Sequence, residues 1–162
     1  MYNFKKETYL KIILLISLIS IISAYFIEYI LGHQPCNLCL IERIPYVLSI
    51  ILIILNFTLI KNQKFIILLL ILIFAFSFII SFYHFGIEQG FFEESVVCGS
   101  KDTSYIISKE ELLDQLPVKS ISCKDVTFKI FGFSLTAINI IISLFLTILL
   151  IKLFINYEKF KK

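Results

Sequence analysis

Of 162 residues, 59% are apolar and 17% charged, with a mean hydropathy of +0.93. Soluble domains are roughly 45–50% apolar, and charges this few and this unevenly placed cannot form a polar shell. The formal charge of +3 reflects basic tails rather than a basic face, so nucleic acid is excluded as an expected partner.

The chain begins with a tail carrying Lys5, Lys6 and Lys11, and an uncharged run follows from Ile12 to Ile27, continuing past Glu28 to Leu31. The basic start resembles a signal-peptide n-region, but the run exceeds the usual stretch of about 7–15 apolar residues and no small-x-small cleavage site follows. It reads as an uncleaved first span, about residues 12–31. Further spans are expected at about 44–60, 65–83 and 131–151, each close to the roughly 20 residues that cross a bilayer as a helix. Four such runs in so short a chain leave too little surface for a soluble core. The expected fold is an all-α membrane protein, a four-helix bundle occupying 1–162 as one integral domain, with outer loops at about 32–43 and 84–130. Every backbone group is then satisfied within a helix.

Orientation follows the basic residues. Nine of them (Lys5, Lys6, Lys11, Lys61, Lys64, Lys152, Lys159, Lys161 and Lys162) lie on one face beside only Glu7 and Glu158. The long loop from His84 to Lys129 carries five lysines and eight acids. By the positive-inside rule both termini are expected in the cytoplasm and both loops outside. Tyr9, Tyr25, Tyr29, Tyr46, Tyr83 and Tyr157 fall near span ends, where interfacial aromatics sit. Within the long loop, Ser108-Lys109-Glu110-Glu111 fits a capping box. Leu112, Leu113 and Leu116 would share one face before Pro117 ends the segment. That predicts a short amphipathic helix, lying on the membrane surface or a partner, or packed on the bundle.

All four cysteines, Cys36, Cys39, Cys98 and Cys123, fall in the two outer loops. An oxidising exterior lets disulfides persist there, and four cysteines allow three pairings. A bridge between Cys98 and Cys123 would close a loop worth roughly 3 kcal/mol on the chain-entropy model. A bridge between Cys36 and Cys39 would close almost nothing, whereas Cys-x-x-Cys pairs have lowered thiol pKa values and exchange reversibly. A redox role therefore suits the close pair better than a structural one. A metal site drawn from the cysteines, His33 and His84 is the remaining reading. Zinc sites usually show two close-spaced pairs, so no metal is expected.

Arg43 lies four residues beyond Cys39. On a continuous helix it would share the face of that sulfur and favour a thiolate, as would a helix N-terminus after Pro35. Pro45 offers a second arrangement, in which the span starts near Ile44 and leaves the cysteines on a loop. Arg43 is either an interfacial anchor or a cation for the oxygen of an acceptor reaching the site through lipid. A quinone fits the second role, because its ring needs an apolar cleft and its reduced oxygens need stabilising charge. His84, expected at the outer end of span three, is a candidate donor to that oxygen or a proton handler, with a plain interfacial histidine as the alternative. His33 reads as a solvated loop residue, and Glu42 as solvated or paired with Arg43.

Pro35-Cys36-Asn37-Leu38-Cys39 with Glu42-Arg43, together with the four spans and the separated pair, resembles the signature of the DsbB family. These are bacterial inner-membrane quinone reductases, and the resemblance covers the whole chain. It implies redox pairs Cys36–Cys39 and Cys98–Cys123, with a DsbA-like periplasmic thiol oxidase attacking at Cys98. Cys123 would then exchange with Cys36, and Cys39 would meet ubiquinone or menaquinone near Arg43, with His84 close by. Pro45 departs from the family pattern.

Two other readings compete. A vitamin K epoxide reductase-type enzyme would carry its Cys-x-x-Cys at the last span, the reverse of the order here. A tetraspanin-like scaffold with structural disulfides would leave the close pair and Arg43 unexplained.

Overall fold

A computed structural model describes residues 2–58, 63–94, 98, 122–124, 128–130 and 132–161. The chain runs α1 (Tyr2–Tyr29), α2 (Asn37–Ile41), α3 (Ile44–Thr58), α4 (Gln63–Glu88), β1 (Lys129–Ile130), β2 (Phe133–Ser134) and α5 (Leu135–Lys161). Four stretches are long and apolar enough to cross a membrane: Glu7–Tyr29, Asn37–Phe57, Lys64–Glu88 and Leu135–Asn156. The protein is a multi-pass, mostly helical membrane bundle. The expected amphipathic segment at 108–116 lies outside the described residues.

The spans are apolar on all sides because lipid, rather than water, faces their outer surfaces. Leu15, Ile22, Phe76, Ile79, Phe82 and Ile141 all point outward. Inside, Leu10 and Ile13 of α1 meet Ile53 of α3, Ile67, Leu70 and Phe74 of α4, and Leu146, Leu150 and Leu153 of α5 in one apolar core. A second, smaller cluster at the other end joins Cys36, Leu38, Ile87, Cys98 and Cys123. α4 and α5 share the most extensive seam between spans, and the seam of α1 with α5 is much lighter.

Several boundaries differ from the expected ones. α4 continues to Glu88, so His84 is a buried residue one turn inside the helix and the long loop begins later than 84. Gly90, at φ +77°, stops that helix. The Phe91 N–H donates to the Gly86 carbonyl at 2.8 Å and the Gly90 N–H to that of Ile87 at 3.0 Å, satisfying end carbonyls in the manner of a left-handed cap. Phe92 then folds back over Gly86, where a Cβ would lie 2.2 Å from its ring, and stacks on Tyr83 at 5.6 Å. A short antiparallel hairpin pairs Lys129 with Ser134 and Ile130 with Phe133, so the last helix starts at Leu135 rather than 131.

The region around Pro45 takes an arrangement between the two considered. Cys36 caps α2, and the Cys39 N–H donates to its sulfur at 3.3 Å. The helix then breaks at Glu42 and Arg43 and restarts at Ile44. Proline has no N–H for the carbonyl four residues back, so it is tolerated in a first turn and breaks a helix that precedes it.

Candidate functional site

A cavity of about 310 Å³ opens at the α1–α5 seam, with Ile19, Ala24 and Ile27 on one side and Ile138 and Ile142 on the other. Cys36, Cys39, Glu42, Arg43, His84 and Cys123 line its polar end. A mostly apolar pocket of about 300 Å³ or more, with a few convergent polar groups, is the usual form of a small-molecule site. The structure thus brings five of the six sequence-derived candidates to one wall. Cys98, the sixth, is joined to Cys123 by a disulfide and lies in the same buried cluster as Cys36.

Two elements hold the sulfurs and the imidazole. Cys36 and Cys39 stand on the first turn of α2, their sulfurs 2.8 Å apart. His84 arrives from α4 and places Nε2 3.5 Å from the Cys36 sulfur. The Cys36 thiol is pushed down to about 4, chiefly by its bond with Cys39 and further by His84, against the opposing effect of burial. A thiolate is the reactive form in disulfide exchange.

Arg43 pairs with α1. Its guanidinium donates to Glu28 at 2.5 Å and lies over the Tyr25 ring at 5.2 Å. Its charge is taken up by the α1 carboxylate rather than by a cysteine sulfur, while it still lines the cavity. A partner and an aromatic face hold the planar cation in place more firmly than snorkelling would.

Glu42 is the residue that sequence reasoning missed. Far from solvated, it is 8% exposed. One of its oxygens is 2.9 Å from His84 Nδ1, and the other accepts from the Asn139 amide at 2.9 Å. Asn139 also donates to Ser81 at 2.7 Å and accepts from the Tyr46 hydroxyl. Thr136 donates to Glu88 at 2.5 Å and lies 3.4 Å from His84 Nδ1. Glu88 Oε2 is buried with no hydrogen-bond partner among the described residues. The available signal was Asn139, an amide inside an apolar run, where a polar residue in a span usually faces a partner or a cavity. His33, read as solvated, is partly buried and packs on Phe128 at 5.1 Å.

The ligand atoms of Cys36, Cys39 and His84 lie within 4.8 Å of one another. Two thiolates on one tetrahedral zinc would stand about 3.8 Å apart, given Zn–S bonds near 2.3 Å. The two sulfurs stand closer than that, at 2.8 Å.

The loop disulfide is tied to the bundle by Glu94. Its carboxylate accepts from the Ser122 hydroxyl and from the Lys124 N–H at 3.1 Å. The Ser122 bond, helped by Lys124, holds that carboxyl below its usual range.

Comparison with known proteins agrees with this geometry. The family model described as "Disulfide bond formation protein DsbB" matches residues 6–153. The uncharacterized protein RP370 of Rickettsia prowazekii (strain Madrid E) is 32% identical, across 98% of this chain and 94% of its own length. No solved structure matches. With its cysteine pairs meeting at one end of a membrane bundle, the chain belongs to the family of the disulfide bond formation protein DsbB.

Proposed function

We propose that this chain is a protein-dithiol:quinone oxidoreductase. It re-oxidises a DsbA-like periplasmic thiol oxidase and passes two electrons through its two cysteine pairs to ubiquinone or menaquinone. The observation that carries this reading is the position of Cys36–Cys39. The pair lines an apolar cavity at the light α1–α5 seam on one side, and packs with the Cys98–Cys123 disulfide on the other. In this reading one route would lead to lipid and the other to the loop that exchanges with a soluble partner.

The residues present fit a quinone head group. The cavity walls are largely aliphatic, Arg43 supplies a fixed cation, and Cys39 lines the same cavity. The bound quinone would serve as two-electron acceptor. Arg43 would stabilise charge developing on its oxygen, an interaction that counts for more in a dry site than in water. Cys98 would receive the partner's thiol, Cys123 would pass the exchange to Cys36, and Cys39 would be released towards the cavity. The basic residues of the tails and inner link support an orientation with both termini cytoplasmic and the cysteines periplasmic in the bacterial inner membrane. The whole chain, 1–162, would act as one integral unit.

The test is the absorbance of a short-chain quinone mixed with the purified protein in detergent, on addition of a reduced periplasmic dithiol protein. Stoichiometric quinone reduction is expected, abolished in Cys39→Ser and weakened in Arg43→Ala. An unchanged rate in Cys39→Ser would overturn the reading.

A further inference from the structure

One chain of polar contacts in the cavity involves neither Arg43 nor Cys39. It runs from Cys36 through His84 to Glu42. His84 Nε2 is 3.5 Å from the Cys36 sulfur, and on the opposite edge of the ring Nδ1 is 2.9 Å from Glu42 Oε1. When one ring nitrogen donates to a carboxylate, the other is left as the acceptor. This is the geometry of a nucleophile, a base and an orienting acid, built from the two ends of α2 and from α4.

From this juxtaposition we propose that His84 is the general base for Cys36 and that Glu42 is its positioning residue. The step is a proton transfer. The S–H bond of Cys36 breaks, its proton goes to His84 Nε2, and the electron pair stays on sulfur as thiolate. Glu42 fixes the Nδ1–H tautomer and stabilises the charged ring that results. Asn139 holds the second Glu42 oxygen and is itself fixed by Ser81 and Tyr46, so the carboxylate cannot turn away. The thiolate suits both directions of exchange at this sulfur, because attack requires it and a low-pKa sulfur also leaves faster.

His84 is thereby assigned to the cysteine pair rather than to the acceptor's oxygen. The other titratable groups around the cavity are Cys39, Glu88, Tyr46, His33 and Arg43 with its partner Glu28. Of these, Glu88 comes nearest the ring, at 4.0 Å from Nε2.

The inference deepens the redox reading of this site, yet its test needs neither quinone nor partner. The rate of iodoacetamide labelling of Cys36 is followed against pH by mass spectrometry in a Cys39→Ser background, with the Cys98–Cys123 disulfide intact. Cys36 is expected to label as a thiolate well below pH 8. Glu42→Gln should move the profile up by about one unit, which is about tenfold in rate on its rising limb, and Glu42→Asp should recover most of that loss. His84→Gln reads the same contact from its other side if Glu42→Gln does not fold.

Three outcomes would overturn the proposal. They are an ordinary thiol profile in the parent protein, superimposable profiles for Glu42→Gln and the parent, or equal losses in Glu42→Gln and Glu42→Asp. Failure of quinone reduction with this labelling pattern intact would remove the acceptor reading and leave the base in place.

Discussion

The two ends of the bundle are built on different physics. Near the termini, α1, α3, α4 and α5 meet through Leu10, Ile53, Phe74, Leu150 and their neighbours. At the other end the α2–α3 break, α4 and α5 meet through Glu42, His84, Asn139, Thr136 and Glu88. In lipid the hydrophobic effect does not draw helices together, so close packing and interhelical hydrogen bonds must do it. The apolar end relies chiefly on packing. The polar end accepts the cost of burying carboxylates beside lipid because fixed donors and acceptors around two sulfurs are what exchange chemistry requires. Tyr46 joins the two, with its ring edge-on to Phe74 at 5.8 Å and its hydroxyl on Asn139.

Substitutions at the two ends should therefore separate stability from chemistry. The largest effect belongs to Cys39→Ser, which is expected to abolish quinone reduction in the absorbance assay while leaving the melting temperature in detergent nearly unchanged. Phe74→Ala should do the reverse. It removes a fully buried ring and should lower stability by about 3–5 kcal/mol, measured by thermal or denaturant unfolding in detergent. The pH profile of Cys36 labelling in the folded fraction should stay where it was. Were Phe74→Ala to shift that profile, the two ends would be one coupled unit.

Asn139→Leu should fall between these extremes. It strips one partner from Glu42, Ser81 and Tyr46 together, and leaving buried polar groups unmatched costs about 1–3 kcal/mol. Both a lower melting temperature and slower labelling of Cys36 are expected. The serine pair linking α1 to α3, Ser17 with Ser49 at 3.0 Å, should matter least among the buried contacts. Interhelical bonds of this kind average about 0.6 kcal/mol, so Ser17→Ala should barely move the melting temperature.

The smallest effect is one of pH. The Glu94 carboxyl is held below its usual range by Ser122 and Lys124, so the tether it provides is complete at neutral pH. That tether weakens as pH falls through the ordinary carboxylate range and is lost below the depressed value. Proteolysis at the Cys123 flank should rise over that acid range, and Glu94→Gln should flatten the response.

Much of the fold was legible because its cause is local. A run of about 20 apolar residues is a span whatever its neighbours do, and Cys36-x-x-Cys39 announces exchange chemistry from spacing alone. Boundaries were less legible. Gly90 and the return of Phe92 over Gly86 carry α4 to Glu88, which buries His84 rather than leaving it at the rim. Pro45 was visible as a break, but the sequence could not say that a separate helical turn, capped by Cys36, would precede it. Arg43 was read against its sequence neighbours, yet it pairs with Glu28, a residue from another helix.

By itself, then, the sequence determined a membrane-spanning helical chain with a close pair and a distant pair of thiols, since hydropathy and spacing act along the chain. Only the tertiary structure decided which charge faces which partner. It brought Glu42, His84 and Asn139, separated by 42 and 97 residues, around one sulfur and matched Arg43 with Glu28. Such matches are made across helix seams, where the desolvation of each charge must be offset by a partner that no local pattern can name.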